Sequence, residues 1–160
     1  MKFINNSNDL TRYLDVPVKK NIDIKSISTD TRSIKKGALF IAIKGDVFNG
    51  NDYVEIAISK DACLVITDDK KFKDSKNKKI IYVSNSILAL RNISRNIIKE
   101  YSGNIIGITG SNGKTSTTNI IANSLKNCSS TLKNFNNEIG VPLSIMNANR
   151  QSKSLVIEMG

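Results

Sequence analysis

The sequence predicts an α/β protein in two parts: a small front domain, then the beginning of a second domain built on a parallel sheet. Two observations lead there. Short apolar runs of strand length, bounded by Gly, Asp, Lys or Ser, alternate with stretches whose apolar residues recur at helical spacing. Further along, one apolar run passes through a tight, glycine-containing turn directly into a helical pattern.

In chain order, residues 38–43 (ALFIAI), 63–67 (CLVIT) and 80–83 (IIYV) read as buried strands. Between the first two, Asp52 to Lys60 carries Val54, Ala57 and Ile58 at helical spacing, which completes a small α/β unit over residues 1–84. Ser86 reads as a helix N-cap, followed by Ile87, Leu90, Ile93, Ile97 and Tyr101 on one face, with Gly103 as the stop. This amphipathic helix is expected to connect the two parts, over residues 85–103. A second strand, Asn104 to Thr109, then leads through a turn at Gly110 to Gly113 into a helix from Lys114 to Lys126, with Ile120, Ile121 and Leu125 on one side. The run Leu155 to Met159 reads as another buried strand. Parallel sheets need both faces covered, and no covering helix or partner strand follows that run, so residues 104–160 are expected to form a truncated domain.

Composition narrows the function. With 160 residues, 39% of them hydrophobic, the chain can bury a core. No apolar stretch reaches the roughly 18 residues of a membrane span, and MKFINNSNDLTRYL lacks a signal peptide's apolar segment, so a cytoplasmic protein is expected. Cys63 and Cys128 lack CxxC spacing and read as small buried hydrophobes. The absence of histidine removes the commonest general base and transition-metal ligand, leaving an oxygen-liganded ion such as Mg²⁺ as the metal to expect. A net charge of +10 raises nucleic-acid binding as an alternative, in which the chain would be a basic P-loop NTPase. Lys, Asn and Ile are abundant together, however, and the densest cluster, Lys70 to Lys79, includes Asp74 and reads as a solvated loop. No nucleic-acid partner is expected.

The stretch IIGITGSNGKTSTT carries the chemistry. Gly110 and Gly113 let backbone N–H groups approach phosphates, and Ser111, Asn112 and Ser116 complete the turn and the first helical residues. The helix N-terminus offers partial positive charge, Lys114 reaches the β- and γ-phosphate oxygens, and the Thr115 hydroxyl can ligate Mg²⁺. The strict G-x-x-x-x-G-K-[ST] pattern fails by one residue, because Ile108 stands where its first glycine would be. A lysine in the first turn opposes the helix dipole and calls for a compensating anion, so ATP is the expected ligand.

TGSNGKT resembles the loop of the Mur ligases and of their folylpolyglutamate synthetase relatives, which keep a glycine at the position of Gly110 in place of the missing one. Residues 28–54, STDTRSIKKGALFIAIKGDVFNGNDYV, are similar to the family's uridine-nucleotide-binding domain, with Thr31 at a usual serine and Asn49 at a frequent aspartate. Residues 134–146, NFNNEIGVPLSIM, look like the segment of the members that add D-alanyl-D-alanine; those adding the third amino acid tend to carry a Thr-Thr-Pro stretch and remain the alternative. The resemblance implies an ATP- and Mg²⁺-dependent ligase of peptidoglycan precursor synthesis. Such an enzyme joins D-alanyl-D-alanine to UDP-N-acetylmuramoyl-tripeptide through an acyl phosphate, and this chain alone would be inactive. It also implies roles for individual residues. Lys114 and Glu158 would be catalytic, Glu158 sharing Mg²⁺ with Thr115. Asn134, Asn136 and Asn137 would contact substrate, and Thr29, Thr31, Arg32, Asp46, Val47 and Phe48 would lie near the uracil and ribose.

Overall fold

The computed structural model describes residues 2–14, 16, 18, 21–131 and 135–160. They form two compact units, one of residues 4–92 and one of residues 93–160 together with the N-terminal residues to Phe3.

The unit of residues 4–92 begins with helix α1 (Ser7–Leu14), which buries Ser7, Leu10 and Tyr13. Strands β1 (Ser26–Ser28), β2 (Ala38–Ile41), β3 (Leu64–Thr67) and β4 (Ile80–Tyr82) form a parallel sheet in that order. Every residue of β2 and β3 is buried, as expected for the central strands of a parallel sheet. A one-turn 3₁₀ segment, Gly50–Tyr53, leads into helix α2 (Val54–Ser59). Its Val54 and Ala57 pack with Phe40, Ala42, Ala62 and Val65 in the core.

Helix α3 (Ser86–Glu100) runs through the division between the units. Its cap is Asn85 and not Ser86: the Asn85 side chain accepts the Leu88 N–H at 2.9 Å, while Ser86 is buried as the first helical residue. An amide one position earlier outcompetes the hydroxyl because its oxygen reaches the N–H three residues on.

In the second unit β5 (Asn104–Ile108), β6 (Cys128–Ser130) and β7 (Ser154–Glu158) form a parallel sheet ordered β5-β7-β6. Helix α4 (Lys114–Ser124) follows β5, and helix α5 (Gly140–Asn147) precedes β7. β7 is flanked by β5 and β6, and all five of its residues are buried. Three expectations need correction here. β5 pairs on one edge among the described residues and is exposed or half-exposed throughout, its apolar composition notwithstanding. On α4, which stops two residues short of Lys126, Ile120 is 66% exposed and does not face the core. Neither cysteine is fully buried; the Cys63 thiol lies 3.2 Å from the Gly37 carbonyl, and partial burial raises its pKa above the ordinary value. No helix among the described residues is long and apolar enough to cross a membrane.

Candidate functional site

Sheet register assembles the site of the second unit. Parallel pairing sets Ile108 of β5 beside Glu158 of β7, so the carboxylate sits at the same strand end from which residues 109–113 leave for α4. The C-terminal edge of a parallel sheet is where such folds gather ligands. Gly113 caps α4 with φ +76°, a left-handed conformation that side chains rarely adopt. No side chain caps the helix, which leaves first-turn N–H groups without a side-chain acceptor.

Around this terminus, residues 111–116, Asn136 and Glu158 enclose a recess of about 320 Å³. Glu158 is 1% exposed. Its Oε1 accepts from the Thr115 hydroxyl at 3.2 Å and from Asn136 Nδ2 at 2.8 Å, and its backbone N–H donates to Thr131 Oγ1 at 2.7 Å. Oε2 is buried with no hydrogen-bond partner among the described residues. The Lys114 ammonium donates to the Gly110 carbonyl at 2.6 Å. A buried carboxylate with one oxygen unspent, beside a hydroxyl and uncapped helix N–H groups, can hold a hydrated divalent cation next to phosphates.

The asparagines of 134–137 divide. Asn136 joins the recess. Asn137 Oδ1 accepts the N–H groups of Ile139 and Gly140 at 3.2 and 2.7 Å, bonds that shape the entry to α5. Asn134 lies outside the described residues.

In the first unit a cleft of about 410 Å³ is lined by Thr29, Asp30, Thr31, Arg32, Phe48 and Tyr53. Arg32 grips Asp30 with Nε and Nη2, at 3.0 and 2.7 Å, and this hydrogen-bonded guanidinium holds the Asp30 carboxyl below the usual range. Phe48 stacks on Tyr53 with ring centroids 4.8 Å apart. Thr31 is buried, and its carbonyl accepts from Lys60 Nζ at 2.9 Å. Asp46 and Val47 do not line the cleft: they occupy the tip of a turn closed by Gly45 N–H to Phe48 O at 2.8 Å, where Val47 is fully exposed. Sequence reasoning missed Asp30 and Tyr53 as lining residues, although both fall inside the motif that pointed to their neighbours. A larger recess of about 700 Å³ is bordered by Val16, Val18, residues 73–78 and residues 80–82; its polar lining mixes the exposed Lys73, Lys76 and Lys78 with Asp74, Ser75 and Asn77.

Comparison with known proteins agrees with this layout. Residues 23–99 match the Mur ligase family, catalytic domain, and residues 108–160 match the Mur ligase middle domain. The UDP-N-acetylmuramoyl-tripeptide--D-alanyl-D-alanine ligase of Buchnera aphidicola is 40% identical over 143 residues, covering 88% of this chain and 31% of the relative. That of Bacillus subtilis is 34% identical over 140 residues, covering 86% and 31%. Among solved structures, the MurF ligase from Thermotoga maritima in complex with ADP superposes with a TM-score of 0.70 at 31% identity, over 84% of this chain and 31% of that one. The chain thus spans about a third of the length of the relatives it matches.

Proposed function

The chain belongs to the Mur ligase family, and we propose that it is part of the ATP-dependent ligase that joins D-alanyl-D-alanine to UDP-N-acetylmuramoyl-tripeptide in peptidoglycan precursor synthesis, a cytoplasmic reaction. The observation that carries the reading is the convergence of Thr115, Asn136 and the buried Glu158 carboxylate on the uncapped start of α4. Similarity to ligases with this printed activity supports the choice of member, and the ADP bound by the Thermotoga maritima relative supports ATP as the nucleotide.

In this reading the backbone N–H groups of residues 111–116 and the Lys114 ammonium surround the phosphates. Thr115 and Glu158 Oε2 would be the protein's groups that hold Mg²⁺. Bound there, the ion would neutralise charge on the transferring phosphoryl group. Asn136 holds the other Glu158 oxygen and so fixes the carboxylate plane. Lys114 exchanges its bond to Gly110 for phosphate oxygens and stabilises the charge that moves toward the substrate carboxylate. The amine nitrogen of D-alanyl-D-alanine then attacks the acyl carbon, forming the amide bond as the bond to phosphate breaks, and inorganic phosphate and the amine's proton are released. The front cleft takes the uridine nucleotide: Phe48 and Tyr53 provide an aromatic wall for the base, and Thr29, Thr31 and Arg32 provide polar contacts for uracil and ribose. Roles for Asn134 and Asn137 at the substrate, and for Asp46 and Val47 near the nucleotide, belong to the same proposal and rest on motif resemblance.

The test is to supply the complete enzyme containing this chain with Mg-ATP, UDP-N-acetylmuramoyl-tripeptide and D-alanyl-D-alanine, and to follow product by mass spectrometry. A pentapeptide product supports the reading. A parallel reaction offers UDP-N-acetylmuramoyl-dipeptide and a free amino acid; ligation of that single amino acid, with no use of D-alanyl-D-alanine in the first reaction, would overturn the choice of member.

A further inference from the structure

Beside the aromatic wall of the front cleft lies a polar network that the cleft does not itself expose. Asn51 is 4% exposed, and each polar group of its side chain is engaged. Oδ1 accepts from the Thr67 hydroxyl at 2.7 Å; Nδ2 donates to Asp68 Oδ1 at 2.8 Å and to Asn49 Oδ1 at 3.0 Å. The second Asp68 oxygen accepts the Ser86 N–H at 3.0 Å, at the first residue of α3. One amide thereby ties together the 49–53 turn, the C-terminal end of β3 and the start of α3.

The placement of this knot matters because the cleft's two rings flank it, Phe48 on one side along the chain and Tyr53 on the other. The turn has little room to move. Gly50 donates to the Ile43 carbonyl at 2.8 Å, and a Cβ at Gly50 would stand 2.6 Å from the Ile43 nitrogen. A fully satisfied buried network admits one arrangement of its members, and moving the turn would strand buried donors and acceptors.

We infer that Asn51 is a positioning residue of the front cleft, holding the 49–53 turn against the end of β3 so that the Phe48–Tyr53 stack offers a flat base a fixed wall. It sets nucleotide affinity without touching the nucleotide. The inference rests on the uridine-nucleotide reading of the cleft given above.

The experiment titrates the 160-residue chain and its variants with UDP by calorimetry and follows amide hydrogen exchange over residues 44–53. Asn51→Asp keeps the oxygen that faces Thr67 but turns a second oxygen on the Asp68 carboxylate. We expect about tenfold weaker UDP binding or worse, with faster exchange in 44–53. Combining Asn51→Asp with Asp68→Asn restores the carboxylate–amide pair between positions 51 and 68 but still sets an oxygen against Asn49 Oδ1, so affinity should recover in part, about threefold or more above the single change, which mere loss of fold stability would not do. Thr67→Val removes one bond of the network and should weaken binding about threefold, so the test survives if Asn51→Asp does not fold. A folded Asn51→Asp chain with parental affinity and exchange would overturn the positioning role, as would a swap no better than the single change. A parent that fails to bind UDP overturns the reading of the cleft, and the affinity claim with it. In that case altered exchange in 44–53 would still show that Asn51 holds the turn.

Discussion

The cleft of residues 4–92 is walled by side chains drawn from three separate stretches, 29–32, Phe48 and Tyr53, whereas the recess of residues 93–160 is walled mostly by six consecutive residues, 111–116. The first offers stacked rings and an arginine locked to a carboxylate. The second offers a glycine-turned backbone, a helix terminus and one buried acid. A flat heterocycle has faces that only side chains can match, while a phosphate group has oxygens that any run of N–H groups can meet. The contrast teaches that base recognition depends on tertiary placement and phosphate recognition on local backbone form. Changes to the two sites should therefore fail in different ways.

The largest separation should come from Lys114→Ala in the complete enzyme. Loss of one contact to a moving phosphoryl charge costs roughly 2.7–4 kcal/mol, or about 100-fold or more in kcat/KM, and UDP binding by the front cleft should not change. Steady-state kinetics beside calorimetry on the same protein read both numbers; a joint loss would break the comparison. Glu158→Gln should follow, lowering ligation about 10- to 100-fold and raising the Mg²⁺ concentration needed for half-maximal rate. An unchanged Mg²⁺ requirement would remove Glu158 from the metal's shell. Phe48→Ala acts on the other side: removing one ring of the stack should weaken UDP binding by about 0.5–1.5 kcal/mol while single-turnover phosphoryl transfer at saturating substrate stays near parental.

The smallest effect concerns Asp30. Its folded pKa lies below the ordinary value because of Arg32, so whatever stability the pair contributes is complete above about pH 4 and is lost as pH falls through the depressed pKa. The pair is solvent-exposed, with side-chain exposures of 89% for Arg32 and 41% for Asp30. Asp30→Asn should therefore shift the melting midpoint by no more than about 2 °C at neutral pH, and that gap should begin to shrink below about pH 4 and close once pH has fallen below the depressed pKa. A gap that widened in acid would reverse the sign assigned to the pair.

The same contrast explains which elements were legible in the amino-acid order. β2, β3 and the central Leu-Val-Ile of β7 announce themselves because a strand covered on both faces is mostly apolar, and the half-buried edge strand β4 because its Ile-Ile-Tyr is β-branched and aromatic. β1 (Ser-Ile-Ser) and β6 (Cys-Ser-Ser) do not, since three mostly polar residues at a sheet edge become strand only when a neighbour supplies the ladder. α5 is hidden in the amino-acid order because Gly140 and Pro142 obscure a helix that is apolar around most of its circumference, as a buried helix is. Ile105 and Ile120 mislead in the opposite direction: apolar residues at the right spacing left facing outward. In the sites, residues 110–116 were readable because their chemistry is contiguous. The bond from Asn136 to Glu158, the stack of Phe48 on Tyr53 and the Asn51 network were not, because each joins positions that only the fold brings together.

The pairing of Ile108 with Glu158 carries a further consequence. Side chains along a strand alternate faces, so sliding β7 by a single residue against β5 would turn the carboxylate to the opposite side of the sheet and put Ile157 or Met159 at its address. A misregistered molecule could bury nearly as much apolar surface and yet have no acid beside Thr115. Under the function proposed above, metal-dependent nucleotide binding would then count correctly paired molecules in a preparation, where secondary-structure content counts only folded ones.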